Sequence, residues 1–307
     1  MQTTPTTPIT NDAFKSAWLE RMLGNNTASY KFYWLRALFD ESLHYHGQLS
    51  FERLAARMVA SAWYPVLYYR LRLGSRDALA DAVMYAQQAC GLASSASEGD
   101  IVKALVSTDD ARLRRMLQRL CDYVPYRFIR PFYTERINGE VSGPVPDQVV
   151  NGLIMRFNAE DMAGAPYRFL PDDAGIELDP EWMAYFRDNR TVISGWLDMR
   201  LVQYLQARNP SVPAIPLKIR APRKRDLGPA RRFWEEALAD HQFTEIYTGQ
   251  PFTADMFTER GPLSIDHFIP WNFVLHDEAW NLVPMFDYFA AFATPFQTSL
   301  LQRSTVD

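Results

Sequence analysis

The sequence predicts a mainly α-helical chain: a large helical N-terminal region followed by a small C-terminal module of mixed strand and helix. Three observations carry that reading. Apolar residues recur at helical spacing from Asn11 to about Arg136, and helical stretches continue to Ala207. After Ala239 the texture changes to short apolar runs punctuated by Gly and Pro, which is strand and turn chemistry. The chain has 307 residues, of which 48% are hydrophobic and 14% aromatic. That is enough apolar material for about two domains of ~150 residues each, and it excludes a disordered or low-complexity chain.

The elements follow in order. Asn11-Asp12 caps a helix whose face is Phe14, Trp18, Leu19 and Met22. Ser50 starts a second pattern through Phe51, Leu54, Ala55, Met58, Val59 and Ala62. Gly74-Ser75 closes that run and opens a helix through Leu79 and Val83. Thr108-Asp109-Asp110 caps the basic helix 111–120, in which Arg112, Arg114, Arg115 and Arg119 surround an apolar stripe. These arginines read first as a solvated face and alternatively as phosphate contacts. The aromatic clusters in 30–39 and 63–69 read as core or partner contacts rather than as base-stacking platforms. Asn138-Gly139 to Pro146 is a Gly/Pro loop; helices are expected at 147–158, 181–188 and 192–207, with an irregular piece around Pro166, Pro171 and Gly175. Asn209-Pro210, Pro213 and Pro216 form an extended connector, and a further helix spans 228–239. Thr248-Gly249-Gln250, flanked by Glu245-Ile246-Tyr247 and Pro251-Phe252, is a hairpin signature, and Leu263–Ile269 reads as a strand.

Charge is unevenly distributed. The formal net charge of −4 argues against nucleic acid only until it is partitioned. Between Lys218 and Arg232 seven basic residues face a single Asp, whereas Phe233–Asp307 holds eleven acidic residues and two Arg. Lys218, Arg220, Arg223, Lys224, Arg225, Arg231 and Arg232 are therefore candidate DNA-phosphate contacts, of the kind that set affinity and register rather than sequence preference. Only Cys90 and Cys121 occur, with no C-x-x-C pair, which fits a reducing compartment and excludes a cysteine-built zinc knuckle. Residues 1–10 read as a disordered tail rather than a signal peptide, and no apolar run reaches the ~18–20 residues a membrane span needs, so a cytoplasmic chain with no membrane partner is expected.

The chemistry lies in residues 263–284, LSIDHFIPWNFVLHDEAWNLVP. Asp266, His267 and Asn281 stand among apolar neighbours, a set suited to phosphodiester hydrolysis. A carboxylate binds a hard cation such as Mg²⁺ (or Mn²⁺), a neutral imidazole takes a proton from water, and an amide ties the loop to backbone. Adjacent residues of a regular strand point to opposite faces, so Asp266 and His267 share a site only if the strand ends or bulges there. His276 and Asp277-Glu278 read as a solvated hairpin tip, with metal ligation as the alternative; His44 and His46 read as surface residues.

The run IDHFIPW followed by WNLVP resembles the HNH endonucleases, the ββα-metal nuclease class, and the upstream YTGQPF is similar to that family's first hairpin. The resemblance implies Asp266 as metal ligand, His267 as general base and Asn281 as the structural Asn. It further implies a DNA endonuclease acting in restriction or phage defence. The family's second metal ligand, on a closing helix, would fall near Phe289, Ala290 and Ala291, none of which binds metal, with Asp287 the nearest substitute. The alternative is accordingly a catalytically degenerate, nuclease-derived module that binds DNA or protein. The expected domains are a helical recognition or protein-partner region at 11–217, a basic connector at 218–232 and the nuclease module at 233–307.

Overall fold

A computed structural model describes residues 10–24, 28–44, 47–75, 77–221, 226–253, 263–275 and 277–286. The chain divides into two compact units, Met1–Ala221 and Pro222–Asp307.

In the first unit the helices are α1 (Ala13–Met22), α2 (Tyr30–Ser42), α3 (Phe51–Trp63), α4 (Ala78–Cys90), α5 (Glu98–Val106), α6 (Ala111–Leu120), α7 (Val124–Glu140), α8 (Asp147–Glu160), α9 (Pro180–Asp188), α10 (Arg190–Arg208) and the short α11 (Ile215–Lys218). Many start where a side chain satisfies an orphan amide at the N-terminus. Asp12 accepts from Lys15 N, Ser50 from Arg53 N, Asp77 from Leu79 N and Asp110 from Leu113 N. Asp77, rather than Gly74-Ser75, is thus the cap that starts α4. Helix α7 runs through Asn138-Gly139 to Glu140, which places the expected Gly/Pro loop a few residues later.

Helix α3 is the hub, packing against α2, α4, α5 and α6. Its alanines 55, 56, 60 and 62 are buried and let neighbouring backbones approach closely, while Leu54, Met58, Val59 and Trp63 fill the spaces between them. The aromatic clusters belong to this core: Phe32, Tyr33, Trp34, Phe39, Trp63 and Tyr64 are all buried. Helix α3 passes directly into a π-helical turn at Tyr64–Tyr68.

A small sheet was not expected. Strands β1 (Gln48–Ser50), β2 (Tyr167–Phe169) and β3 (Gly175–Leu178) form an antiparallel sheet in the order β1-β3-β2. Gly175 lies so close to β1 that a Cβ there would sit 2.2 Å from the Leu49 carbonyl oxygen, so only glycine permits the pairing. The fully buried Asn158 ties α8 to β2: its amide nitrogen donates to the Tyr133 hydroxyl at 2.9 Å and the Tyr167 carbonyl at 3.0 Å, and its oxygen accepts from Phe169 N at 3.0 Å. Thr10, placed in the expected tail, is anchored: its hydroxyl lies 2.6 Å from Ser16 Oγ and 3.1 Å from the Tyr185 hydroxyl. Residues 1–9 of that tail lie outside the described residues. Among the described residues no helix is long and apolar enough to cross a membrane.

The second unit contains α12 (Gly228–Asp240), β4 (Leu263–His267), α13 (Trp271–Val274), a 3-10 turn at Ala279–Asn281 and β5 (Leu282–Phe286). Leu263, Ile265 and Leu282 form its core against Leu227, Ala230, Trp234, Leu238 and Phe252. The later part of the basic connector therefore folds with this unit. The chain as a whole is mainly α-helical, with only small sheets.

Replacing Asn158 by Leu keeps the volume but removes three hydrogen bonds, two of them to the backbone of Tyr167 and Phe169; the Tyr133 hydroxyl keeps its bonds to the Asp161 and Met162 carbonyls. The expected loss is about 2–4 kcal/mol of unfolding free energy in chemical denaturation; an unchanged midpoint would contradict the role given to this amide.

Candidate active site

Strands β4 and β5 pair antiparallel over five positions, from Leu263 opposite Phe286 to His267 opposite Leu282. The ladder continues one step further, with Phe268 N donating to the Asn281 carbonyl at 2.9 Å. There is no bulge. Leu263, Ile265 and His267 alternate with the half-exposed Ser264 and Asp266. His267 thus shares the buried face of β4 and is only 2% exposed, while Asp266 emerges from the other face. The strand objection raised from sequence holds for the strand body: β4 carries the two side chains on opposite faces up to its last residue.

His267 has a specific partner. Its Nε2 lies 2.7 Å from Asp277 Oδ1, on the loop between α13 and the 3-10 turn. An ionised carboxylate can only accept, so Nε2 donates to Asp277, and in the neutral ring Nδ1 is then the nitrogen without a proton. From sequence Asp277 reads as part of a solvated hairpin tip, with metal ligation as the alternative. The pairing arises because the antiparallel return of the chain brings that loop to the end of β4, which residue spacing alone does not reveal. His276 lies outside the described residues.

Asn281 closes the loop. It is fully buried; its Oδ1 accepts from Ile269 N at 2.7 Å and its Nδ2 donates to the Ile269 carbonyl at 2.9 Å. One side chain thereby satisfies both backbone groups of a residue that has left the ladder. On the far side, the Trp234 indole N–H donates to the Leu282 carbonyl at 2.9 Å, locking α12 to the position opposite His267.

The turn at 244–252 flanks these elements. Thr244 bridges to Pro251, Glu245 N donates to the Gln250 carbonyl, and Gly249 adopts a left-handed conformation with φ of 69°. The buried Glu245 carboxylate accepts from Thr248 N at 2.8 Å and from its hydroxyl at 2.6 Å, stabilising the turn from within. Next to it, the Tyr247 hydroxyl donates to Asp266 Oδ2 at 3.4 Å.

Residues 245–288, which span all of these contacts except those from α12 and Thr244, match the family model described as HNH endonuclease. The C-terminal unit carries an HNH domain. No curated protein and no solved structure matches the chain. The strand and loop that hold Asp266, His267, Asp277 and Asn281 all fall inside the HNH match. The positions expected for the closing helix, Asp287, Phe289, Ala290 and Ala291, lie outside the described residues.

The basic residues expected from sequence to meet DNA fall in both units. Lys218 is 1% exposed within α11, so it is not presented to DNA. Its charge misled the sequence reading because burial is set by tertiary packing. Arg220 is exposed and its guanidinium is engaged by Asp198. Arg231 and Arg232 are exposed on the first turns of α12 in the HNH unit. Arg223, Lys224 and Arg225 lie outside the described residues. His44 is exposed, as expected of a surface residue, and His46 also lies outside them.

Two expectations follow. Substituting Asn281 with Leu leaves the Ile269 N–H and C=O unpaired, at a cost of about 2–4 kcal/mol, and accelerates hydrogen exchange at the Ile269 amide; exchange at the wild-type rate would rule out the clamp. Burial pushes the Lys218 amine down from 10.5 to about 8. From pH 8 to 10.5 the unfolded chain keeps a proton that the folded chain has released, so stability rises with pH across that window, by up to about 3 kcal/mol. In the difference between wild type and Lys218→Met, followed by urea denaturation, this rise is present only in the wild type.

Proposed function

We propose that the protein is a metal-dependent endonuclease that hydrolyses DNA phosphodiester bonds, with His267 as the general base. The observation that carries this reading is the 2.7 Å pair between His267 Nε2 and Asp277 Oδ1 inside the segment that matches HNH endonucleases. Asp277 holds the ring in one tautomer and stabilises the imidazolium that forms when Nδ1 takes a proton from the attacking water. Water oxygen bonds to phosphorus, the opposite P–O ester bond breaks, and the leaving oxygen departs with the bonding pair. Asn281 acts through the backbone: by fixing Ile269 it holds the strand end from which His267 projects.

Asp266 is the residue that would hold a divalent cation. Among the described residues no three His, Cys, Asp or Glu side chains are grouped to form a metal cage. A half-exposed carboxylate fits Mg²⁺ or Mn²⁺ nonetheless, since Mg²⁺ keeps much of its water and takes one or two carboxylates together with substrate phosphate oxygens. When bound, such a cation supplies charge neutralisation at the scissile phosphate and the leaving oxygen. Because Asp266 and His267 leave β4 on opposite faces, a site served by both lies around the strand's end, where the chain turns at Phe268–Pro270.

A second reading, a nuclease-derived module that binds DNA without cutting it, draws on the absence of a multi-residue metal group among the described residues. A role in restriction or phage defence draws on the family resemblance, a cytoplasmic location on the sparse cysteines, and a protein partner on the helical character of the first unit.

Incubating supercoiled plasmid with the protein separates the two readings. Cleavage predicts nicking that requires Mg²⁺ or Mn²⁺ and falls about 10²–10⁴-fold in His267→Ala. Asp277→Asn is expected to retain the fold and lose a smaller part of the rate. Retention on DNA with no cation-dependent nicking, or nicking indifferent to His267→Ala, overturns the catalytic assignment.

A further inference from the structure

We infer that the N-terminal helical unit carries a second site for nucleic acid, a basic groove that holds the DNA phosphate backbone. This rests on the reading of the protein as a DNA-acting nuclease and adds a surface that the HNH match does not reach. Arg21 of α1, Lys31 of α2, Arg119 of α6, and Arg127 and Arg130 of α7 line one groove of about 970 Å³. These cations are scattered along the sequence and gathered only by the packing of four helices. Two carboxylates share the groove, Asp122 and Asp147, so positive charge is in excess by three.

The arrangement is costly in the absence of a polyanion. Lys31 is half-buried, and among the described residues no carboxylate lies within ion-pair distance of it. Burial, reinforced by the guanidinium groups of Arg127 and Arg130, lowers its pKa to about 8. Like charges held together at a partly desolvated position repel, and an incoming phosphate converts that repulsion into attraction. Of the five cations, Arg127 is engaged by Asp147, an exposed pair of the kind that contributes little to stability.

The groove is also stiff. The Arg21 guanidinium lies 4.9 Å from the ring centre of Trp18, which itself stacks on Phe132 at 3.9 Å. The Arg127 guanidinium lies 4.9 Å from the ring of Tyr123. Guanidinium groups backed by aromatic rings lose less side-chain freedom on meeting a phosphate. An excess of positive charge drawn from four helices along an open groove, rather than convergent donors and acceptors around one point, suits a repeating phosphate backbone better than a single small anion. Contacts of this type bind without reading bases, so the groove supplies affinity and register while sequence preference comes from elsewhere.

The test uses the full chain in a His267→Ala background, so that binding is measured without cleavage, with a fluorescent duplex titrated at several salt concentrations. Lys31→Gln, Arg119→Gln and Arg130→Gln are combined. A control carries Arg115→Gln, Arg168→Gln and Arg187→Gln, exposed arginines outside the groove that change net charge equally. The groove variant is expected to lose at least about tenfold in affinity near 0.1 M salt, and its log–log salt slope to fall by about 2–3, close to 0.9 for each lost phosphate contact. The control keeps most of both. Circular dichroism and thermal melting establish that the two variants are equally folded. Equal DNA binding by the groove variant and the control overturns the inference, including the case in which only RNA or an acidic protein is lost from the groove. The plasmid assay on wild type stands apart: nicking with an unimportant groove leaves the nuclease reading intact, and a groove that binds DNA in a chain that never nicks removes only the catalytic assignment.

Discussion

The two hydrogen bonds between the side chain of Asn281 and the backbone of Ile269 are the constraint on which the C-terminal unit depends. At His267 the chain leaves a regular ladder and must turn through Phe268–Pro270 before α13. Such a turn exposes backbone donors and acceptors in a place with little water, and each unpaired group there carries a desolvation penalty. One amide side chain, itself fully buried, answers both groups of Ile269 at once. The consequence propagates in both directions. Upstream, the last residue of β4 keeps its register against Leu282; downstream, the loop that holds Asp277 is set at hydrogen-bonding distance from His267. A polar side chain in a small apolar core here does what a larger core would do by packing.

Electrostatics divide the molecule in a way that net charge conceals. Of the described members of the basic stretch, Lys218 is buried, Arg220 pairs with Asp198, and Arg231 and Arg232 are exposed on α12. Cations far apart in sequence assemble instead on the helical unit. A positive surface can thus arise without linear clustering, because helices that cross can aim side chains that are remote in sequence into one groove.

The helical elements were legible because local chemistry specifies them. Ser50, Asp110 and Asp12 cap the helices that they were expected to cap, and the aromatic clusters pack as core. Asn281 was legible in kind, since a buried amide near a strand end has few uses other than pairing with backbone. Asp277 was not, because its relation to His267 exists only through the antiparallel return of the chain. The sheet of the first unit was illegible for a related reason. Its strands are three or four residues long, too short for a period of two to register, and they pair residues that are remote in sequence.

That small sheet bears on how the first unit acquires its structure. Strand β1 comes early in the chain and its partner β3 is separated from it by α3 through α8. Local helices form in microseconds, but closing so long a loop carries an entropic penalty that nothing repays until β3 is present. On the ribosome, Leu49 and the buried edge around it wait, without their strand partner, until Gly175–Leu178 have been synthesised and have cleared the exit tunnel. Gly175, whose missing side chain lets the two strands meet, is in that sense the latch for β1.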